Sequence, residues 1–200
     1  GVELAFEFAE KDLDVETFDM ETRPLPRFSQ KISEKVLESM HREGIRFRGG
    51  KDIKSVSDGE IVHGDGAESF DHVILNIGIR QNKVIRECFE DFEVNSGLNS
   101  VGYDNVFAVG DCNDVNPNTA HNAIYEGSKV AENISKKEFE DLEPIRPRDP
   151  GYLVSTGNRG MYIREEFSLE SRVLRYGKDL IRKWYLTKIR FQAWKKRNLM

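Results

Sequence analysis

The chain has 200 residues, of which 38% are hydrophobic and 32% are charged, and its formal net charge at pH 7 is −5. This length suffices for one domain or two small ones, and the composition is typical of a globular protein with a highly charged surface. No run of 18 apolar residues occurs, so we expect no helix that spans a membrane.

The first 78 residues alternate helical and extended patterns, which indicates an α/β fold. We predict helices over 1–10 and 29–43, strands over 15–19, 45–47 and 72–77, and a β-hairpin region over 52–72. The amphipathic second helix should end near Gly44, a typical helix C-terminal residue. The 72–77 run is mostly apolar, with Val73, Ile74, Leu75 and Ile77, which favours a buried strand of a parallel sheet that closes at Gly78.

The chain opens Gly1-Val2-Glu3-Leu4-Ala5 without an initiator Met, and this resembles the last glycine of a Gly-x-Gly-x-x-Gly dinucleotide fingerprint with its helix. We expect the first strand and the first two glycines upstream of these residues. Asp19 follows a strand about 20 residues later, the usual ribose-binding position. A carboxylate there accepts hydrogen bonds from a 2′-hydroxyl and repels a 2′-phosphate, which favours NADH over NADPH. Alternatively, Asp19 is a solvated loop acid.

The most informative segment is Asn105-Val106-Phe107-Ala108-Val109-Gly110-Asp111-Cys112. Its apolar run, 106–109, predicts a buried parallel strand, preceded by a short strand over 97–101. Gly110 would let a ligand approach the backbone, and Asp111 offers a carboxylate to hydroxyl groups. A helix predicted over 119–135 begins soon afterwards, and its free N–H groups would face an electron-rich ring.

This arrangement closely resembles the second flavin-binding motif of the flavoprotein reductases that contain two dinucleotide folds. In that family the aspartate holds the ribityl chain of FAD, and the helix start faces the flavin ring. The resemblance therefore assigns FAD contacts to Gly110, Asp111, Thr119, Ala120 and His121.

Four segments of the chain occur in a familiar order. They are Pro24-Leu25-Pro26-Arg27-Phe28, Ile77-Gly78-Ile79-Arg80-Gln81-Asn82, the Val-Gly-Asp-Cys motif and Leu153-Val154-Ser155-Thr156-Gly157. Together they resemble the C-terminal half of a type II NADH dehydrogenase, a single-chain FAD enzyme that reduces quinone. Much of this set is shared with other pyridine-nucleotide flavoprotein reductases, and the Leu-Val-Ser strand and the tail favour this choice.

The resemblance implies a partial two-dinucleotide-binding-domain (Rossmann-like) flavoprotein reductase of the α/β class. It divides the chain into an NAD-binding domain over 1–80 that lacks its first strand, the C-terminal part of the FAD-binding domain over 81–142, and a C-terminal region over 143–200. In this last region we predict paired strands over 152–155 and 161–163, with a turn over 157–160, and one long helix over 171–197.

The same resemblance implies that hydride passes from NADH to the flavin and that electrons then pass to a quinone-type acceptor. It places Glu3 near the nicotinamide and the flavin, as the catalytic residue, and it places Gly78 beside the nicotinamide half of NAD. Glu3 has a simpler explanation, because an acid is favourable at a helix N-terminus. Gly78 would then be an ordinary turn at a strand end.

The quinone side departs from the family pattern. The helix after the flavin motif usually carries glutamines where this chain has His121 and Tyr125. Both side chains donate hydrogen bonds, and His121 would relay a proton to a reduced quinone. A soluble acceptor or an altered quinone head group fits as well, and His121 is otherwise a structural residue of the helix start.

Charge is divided unevenly along the chain. Residues 171–200 carry ten Lys or Arg and one acid, a local charge of +9, whereas residues 1–170 carry 20 basic and 34 acidic residues, a charge of −14. One face of the tail helix is apolar: Val173, Tyr176, Leu180, Trp184, Phe191 and Trp194. A basic helix with an aromatic stripe suits an anionic membrane surface, and docking on the body or in a homodimer is the alternative. The acidic body opposes nucleic acid as a partner.

These features predict a cytoplasmic protein, peripheral on the inner face of the cell membrane, where quinone is within reach. Two alternatives remain: a sulfide:quinone reductase-like enzyme, and a non-enzymatic nucleotide-binding interaction module. The first would need partner cysteines around the flavin, and this chain has only Cys88 and Cys112, with no Cys-x-x-Cys and no metal-ligand spacing. We expect Cys112 to be a small buried side chain, and the 200 residues alone to bind FAD weakly.

Overall fold

The computed structural model describes residues 1–78, 93–103, 105–113, 115, 118–135, 142–146 and 149–198. Its helices are α1 (Val2–Ala9), α2 (Gln30–Arg42), α3 (Ala120–Ser135), α4 (Arg172–Arg175) and α5 (Gly177–Asn198). Its strands are β1 (Glu16–Phe18), β2 (Arg46–Arg48), β3 (Ile53–Ser57), β4 (Glu60–His63), β5 (Gly66–Ser69), β6 (Tyr152–Ser155), β7 (Gly160–Arg164) and β8 (Phe167–Ser171). The chain divides into two compact units, Gly1–Asn76 with Pro150–Met200, and Ile77–Asp149.

The first unit begins with a β–α–β arrangement. β1 and β2 are parallel neighbours, with Glu16 opposite Arg46 and Phe18 opposite Arg48, and α2 forms the connection between them. Parallel strands need such a crossover because the chain must return to the starting edge of the sheet before the second strand begins, which a tight turn cannot achieve. The predicted helices and strands of residues 1–48 are confirmed to within two residues at each end.

The amphipathic pattern of α2 explains both its formation and its orientation. Ile32, Val36 and Met40 are fully buried and recur every four residues, so they form one stripe along the helix. The helix ends near Gly44 as predicted, and this residue has a φ of +73°, a conformation that disfavours residues with a Cβ. Ile45 N–H then donates to the carbonyl of Met40 at 2.9 Å, satisfying one of the last free acceptors of the helix.

One hydrophobic core joins the two ends of the sequence within this unit. Phe6 of α1 is fully buried, and it shares the core with the α2 stripe and with Met161 and Ile163 of β7. Val154 of β6 also belongs to this cluster. The C-terminal strands are therefore part of the same packing unit as the N-terminal β–α–β arrangement.

The predicted C-terminal hairpin is confirmed, and it extends to a third strand. β6 pairs with β7, and β7 pairs with β8, all antiparallel. β8 was not predicted because its apolar residues, Phe167 and Leu169, are exposed. Its polar residues instead contact α2, where Ser168 accepts from Lys35 and Glu170 accepts from Ser39. In a half-buried strand the apolar residues usually face the core and the polar residues face solvent, and β8 shows the opposite arrangement.

The predicted strand over 72–77 is wrong. Within the described ranges these residues pair with no strand, and Ile74, Leu75 and Ile77 are exposed, the last at 89%. A short apolar run forms a buried strand only where neighbouring strands pair with its backbone N–H and C=O groups. Such neighbours are not found among the described residues.

The predicted single helix over 171–197 is corrected by a break. α4 and α5 are separated at Tyr176, and Gly177 begins the long helix. A Cβ added to Gly177 would lie 2.8 Å from the Cδ2 atom of Leu153, so a larger residue at this position would have to displace that side chain of β6. Beyond its first turn, α5 is almost entirely exposed.

Ion pairs join the start of this helical region to α1. Arg175 pairs with Glu10 at 2.7 Å, and Lys178 pairs with Glu3. Within the described residues, none of the helices combines the length and the apolarity that a membrane crossing needs.

The second unit is built around α3. Leu98, Val130 and Ile145 form its buried cluster, with Tyr125 packed against them. The segments 98–100 and 106–108 run side by side: Ser100 N–H donates to Val106 O at 2.7 Å, and Ala108 N–H donates to Leu98 O at 3.0 Å. This pairing is antiparallel, so the predicted buried parallel strand over 106–109 is corrected to a short antiparallel bridge. The apolar run had indicated burial, but it carries no information on strand direction.

Substitution of Phe6 by Ala tests the shared core. We expect it to lower the free energy of unfolding by about 3–5 kcal/mol, because removing a fully buried phenyl ring leaves a cavity. The measurement is urea denaturation followed by circular dichroism. Leu4→Ala in the same helix is the control, because Leu4 is 42% exposed and should cost much less. A loss below about 1 kcal/mol for Phe6→Ala would contradict this assignment of the core.

Candidate functional site

The turn after the 106–108 bridge is shaped by Gly110. This residue has a φ of +75°, and a Cβ added to it would lie 3.1 Å from the Cβ of Ala123 in the first turn of α3. Both the backbone conformation and the close approach therefore require glycine. The predicted juxtaposition of the Gly-Asp turn with the start of a helix is present in the structure.

The buried carboxylate of Glu126, on α3, hydrogen-bonds this turn. The Glu126 side chain accepts the Gly110 N–H at 2.7 Å and the Asn113 side-chain amide at 3.0 Å. Asn113 also donates to the Gly110 carbonyl, at 3.0 Å from its side chain and 3.2 Å from its backbone. Glu126 and Asn113 are both buried. Together they fix the two ends of the segment that carries Asp111.

Sequence reasoning missed Glu126 and Asn113. The available sign was the polar spacing along the predicted helix, where Asn122, Glu126 and Asn133 recur on the face that also carries Val130. All four are buried in the structure. Buried polar side chains need hydrogen-bond partners, and a polar stripe beside a glycine turn is a place to expect them.

The predicted FAD-contact residues lie around the open side of this turn. Asp111, Ala120 and His121 are exposed. Thr119 occupies the helix N-terminus, and its Oγ1 accepts the Asn122 N–H at 3.2 Å. A side-chain oxygen in this position satisfies one of the free donors of the first turn.

The other residues predicted to contribute to this site are more enclosed. Cys112 is half-buried, and its thiol donates to the Val109 carbonyl at 3.2 Å. Tyr125 packs against the core of its unit, one turn after the exposed His121. Cys88 and Ile79 to Asn82 lie outside the described residues.

The predicted nucleotide residues of the first unit lie at one end of β1 and α1. Burial lowers the pKa of the Gly1 amino group, and attraction to the carboxylates of Glu3 and Asp19 opposes this shift. Both carboxylates act on the Gly1 amino group, so the three groups lie in one neighbourhood. Gly78 belongs to the other compact unit and has a φ of +87°.

Backbone hydrogen bonds fix Asp19. Its N–H donates to the Arg48 carbonyl at 3.1 Å, and its own carbonyl accepts the Lys51 N–H at 2.9 Å. One carboxylate oxygen accepts the Glu21 N–H at 3.0 Å, which closes a tight turn. The side chain is otherwise exposed at the end of β1, as a residue that binds a ribose would need to be.

A network of charged and aromatic side chains braces β1 just before Asp19. Arg48 pairs with Glu16 and with both oxygens of Glu68, at 2.6 and 2.7 Å. The guanidinium of Arg48 also lies 5.5 Å from the ring centroid of Phe18. His63 contacts Glu68 through Nε2 at 3.0 Å, while its Nδ1 accepts the Asp65 N–H. His63 is therefore the tautomer protonated at Nε2.

Glu3 has contacts that the sequence did not predict. Its carboxylate accepts the backbone N–H of Ser155 at 2.7 Å, at the end of β6, and it pairs with Lys178 in the first turn of α5. Its side chain is about half exposed. The position of Glu3 therefore depends on the C-terminal elements of the same unit.

Arg23, the first basic residue after Asp19, is committed to local contacts. Its guanidinium donates to the carbonyls of Phe28 and Pro26, at 2.8 and 2.7 Å, and to the Ser33 hydroxyl. These bonds orient the guanidinium into the loop before α2. A guanidinium engaged in this way is not available to bind a phosphate without breaking them.

Residues 1–127 match the model of a protein family described as Pyridine nucleotide-disulphide oxidoreductase. A curated relative is the Type II NADH:quinone oxidoreductase of Staphylococcus aureus, which is 27% identical over 152 residues, covering 67% of this chain and 38% of that protein. The chain thus spans little more than a third of this relative.

Two solved structures share the fold. One is NDH2 from Plasmodium falciparum in complex with NADH, with a TM-score of 0.74, 15% identity, and coverage of 90% of this chain and 59% of that chain. The other is the sulfide:quinone oxidoreductase from Aquifex aeolicus, with a TM-score of 0.76, 14% identity, and coverage of 94% and 54%. These likenesses confirm the predicted fold class and the resemblance to type II NADH dehydrogenases.

The network of Arg48, Glu68 and His63 beside β1 makes the free energy of unfolding depend on pH. Hydrogen bonds from Arg48 and then from His63 lower the pKa of Glu68. Ionised Glu68 therefore contributes stability above the ordinary glutamate pKa of about 4.3, and this contribution is lost as the pH falls below that value. Glu68→Gln should remove part of the acid-induced loss of stability.

The free energy of unfolding measured in urea between neutral and acid pH checks this prediction. Glu60→Gln is the matched control, because Glu60 is exposed on the neighbouring strand β4 and should leave the pH profile unchanged. A Glu68→Gln profile parallel to that of the unmodified chain would show that the pair with Arg48 contributes nothing.

Proposed function

The chain belongs to the pyridine nucleotide-disulphide oxidoreductase family, and we propose that it is the C-terminal half of an FAD-dependent enzyme. The enzyme passes hydride from NADH to flavin and then electrons to a quinone-type acceptor. The observation that carries this proposal is the hydrogen-bonded Gly110 turn, which presents the exposed carboxylate of Asp111 beside the start of α3. We assign residues 1–80 to NAD binding, 81–142 to FAD binding and 143–200 to docking.

The residues of this turn fit a flavin well. Asp111 is a hydrogen-bond acceptor for the hydroxyl groups of a ribityl chain. Gly110 would let the backbone approach the cofactor closely. Thr119, Ala120 and His121 lie at the start of α3, where the positive end of the helix dipole favours an electron-rich ring. FAD bound there supplies the hydride and electron chemistry, while the protein groups orient it.

The nucleotide side is proposed to use Gly1, Asp19 and Gly78. Asp19 is held at the end of β1 with its side chain exposed, which suits hydrogen bonds to the 2′-hydroxyl of NADH. The engagement of Arg23 by its own loop supports NADH over NADPH, because the nearest guanidinium is already committed. Glu3 lies close to Gly1, and we assign it to the nicotinamide side as the catalytic residue.

The electron acceptor is proposed to be a quinone. The relative from Staphylococcus aureus is named as an NADH:quinone oxidoreductase. In this chain His121 is exposed at the start of α3, and it would hold a proton for the reduced acceptor. Tyr125 lies one turn further along the same helix, and its hydroxyl would donate a hydrogen bond.

The helix α5 is proposed to bind an anionic lipid surface from the cytoplasmic side. Its apolar stripe is exposed, with Trp184 at 65%, and the rings of Phe191 and Trp194 stack at 6.0 Å between centroids. The charge of +9 over 171–200 complements anionic head groups. A second copy of the chain is the alternative occupant of this stripe.

A sulfide:quinone reductase is the second candidate, supported by the likeness to the Aquifex aeolicus structure. Such chemistry transfers electrons through cysteine sulfur. Cys112 is close to the proposed flavin turn, but its thiol is half-buried and bonded to the backbone. We therefore favour NADH as the electron donor.

Substitution of Asp111 by Ala tests the flavin site. In the natural full-length chain that contains these residues, we expect FAD affinity to fall about 10- to 100-fold, because hydrogen bonds to a charged acceptor are lost. The measurement is fluorescence titration of the apoprotein with FAD. Asp71→Ala is the control, because Asp71 is an exposed acid outside the turn. Equal FAD affinity of the Asp111→Ala and unmodified proteins, or no FAD binding by either, would contradict the proposal.

A vesicle flotation experiment tests the docking of α5. We expect the protein to float with vesicles containing phosphatidylglycerol, and to float less as salt is raised. The double substitution Trp184→Glu with Phe191→Glu should abolish flotation, because both rings lie in the apolar stripe. Leu186→Glu is the matched control: this exposed residue lies on the opposite side of the helix and should have little effect.

The same variants distinguish the alternative occupant. If the unmodified protein does not float, and if it is a dimer that the double substitution converts to monomers, then the stripe binds a second copy and the membrane proposal is wrong.

A further inference from the structure

We infer that Glu126 is a positioning residue for the FAD site, which acts by holding the Gly110–Asn113 turn in the shape that aims Asp111 at the cofactor. The inference rests on the proposed function for its ligand. The geometry of the turn itself does not depend on that function.

Two hydrogen bonds converge on a single oxygen. The Gly110 N–H and the Asn113 amide both donate to Oε2 of Glu126, at 2.7 and 3.0 Å. The first distance falls in the range typical of charge-assisted bonds. Gly110 and Asn113 flank Asp111, so one carboxylate oxygen of α3 tethers the segment on both sides of the exposed acid.

Burial makes these bonds costly to lose. Only 2% of Glu126 is exposed, and Asn113 is exposed at 4%. Without the carboxylate, the Gly110 N–H would be left as an unsatisfied donor, and the Asn113 amide would keep only its bonds to the carbonyls of Ala108 and Gly110. The turn would then relax to find other partners, and the Asp111 carboxylate would lose its fixed position.

The retention of an ionisable group at this depth supports the inference. An apolar side chain would pack at this point of the helix without the desolvation penalty that a carboxylate carries. The neighbouring buried positions of α3 are Asn122, Val130 and Asn133, so the same face tolerates both apolar and amide side chains. A carboxylate at this position therefore needs a specific reason, and its Oε2 bonds the turn.

The experiment compares three substitutions in the full-length protein. Glu126→Gln keeps an oxygen where both donors point, so FAD affinity should remain within about threefold of the unmodified value. Glu126→Met keeps the length but removes the acceptor, so affinity should fall about tenfold or more. Asn133→Leu is the matched control: Asn133 is buried on the same helix and bonds the carbonyl of Glu143 instead of the turn.

A second measurement does not need the flavin. Hydrogen exchange of the Gly110 amide, followed by NMR in the apoprotein, should be slow in the unmodified protein and in Glu126→Gln, and markedly faster in Glu126→Met. If the unmodified protein binds no FAD, the proposed function fails, while slow exchange that is lost in Glu126→Met would still support the hold on the turn.

Three results would overturn the inference. The first is unchanged FAD affinity in Glu126→Met. The second is an equal loss of affinity in Asn133→Leu, which would mean that Glu126 acts only through the stability of its unit. The third is a loss in Glu126→Gln as large as that in Glu126→Met, which would show that the acceptor geometry is not what matters.

Discussion

The hydrogen bond from Gly110 to Glu126 is the interaction on which the proposed cofactor site depends. After the antiparallel bridge of 106–108, the Gly110 N–H no longer bonds a neighbouring backbone segment. It donates instead to the carboxylate of Glu126 on α3. Because a buried N–H must be paired, this contact fixes both the path of the turn and its distance from α3. This turn carries the exposed carboxylate of Asp111, the acid that we propose to bind the cofactor.

In the first unit, a comparable constraint joins the two ends of the sequence. Phe6 packs with Val154, Met161 and Ile163 near the other end of the sequence, and Glu3 bonds the backbone of Ser155. The nucleotide side of the proposed enzyme is therefore shaped by the C-terminal strands as well as by the β–α–β arrangement. The pair between Glu3 and Lys178 brings the first turn of α5 into the same contact, so the helix that we propose to dock on a membrane starts beside the residue assigned to the nicotinamide.

Local sequence patterns predicted those parts of the fold that local rules determine. The stripe of α2 and the glycine at its end, the β6–β7 hairpin, and the Gly-Asp turn before α3 all follow from spacing and backbone preference. The patterns failed where tertiary contacts decide. The polar residues of β8 contact α2, and residues 72–77 have no strand neighbour among the described residues. Glu126 is buried where it hydrogen-bonds a turn 16 residues earlier in the sequence. The contacts of β8 leave no periodic trace in the sequence, and the polar spacing along α3 does not reveal which turn Glu126 bonds.

A flavoenzyme that contains this chain and accepts hydride from NADH must have its flavin reduced by that nucleotide. The most direct measurement is anaerobic mixing of the full-length, FAD-loaded protein with NADH or NADPH, while the visible absorbance of the flavin is followed. We expect NADH to bleach the flavin band stoichiometrically, and faster than NADPH does. A flavin that stays oxidised in the presence of NADH would contradict it.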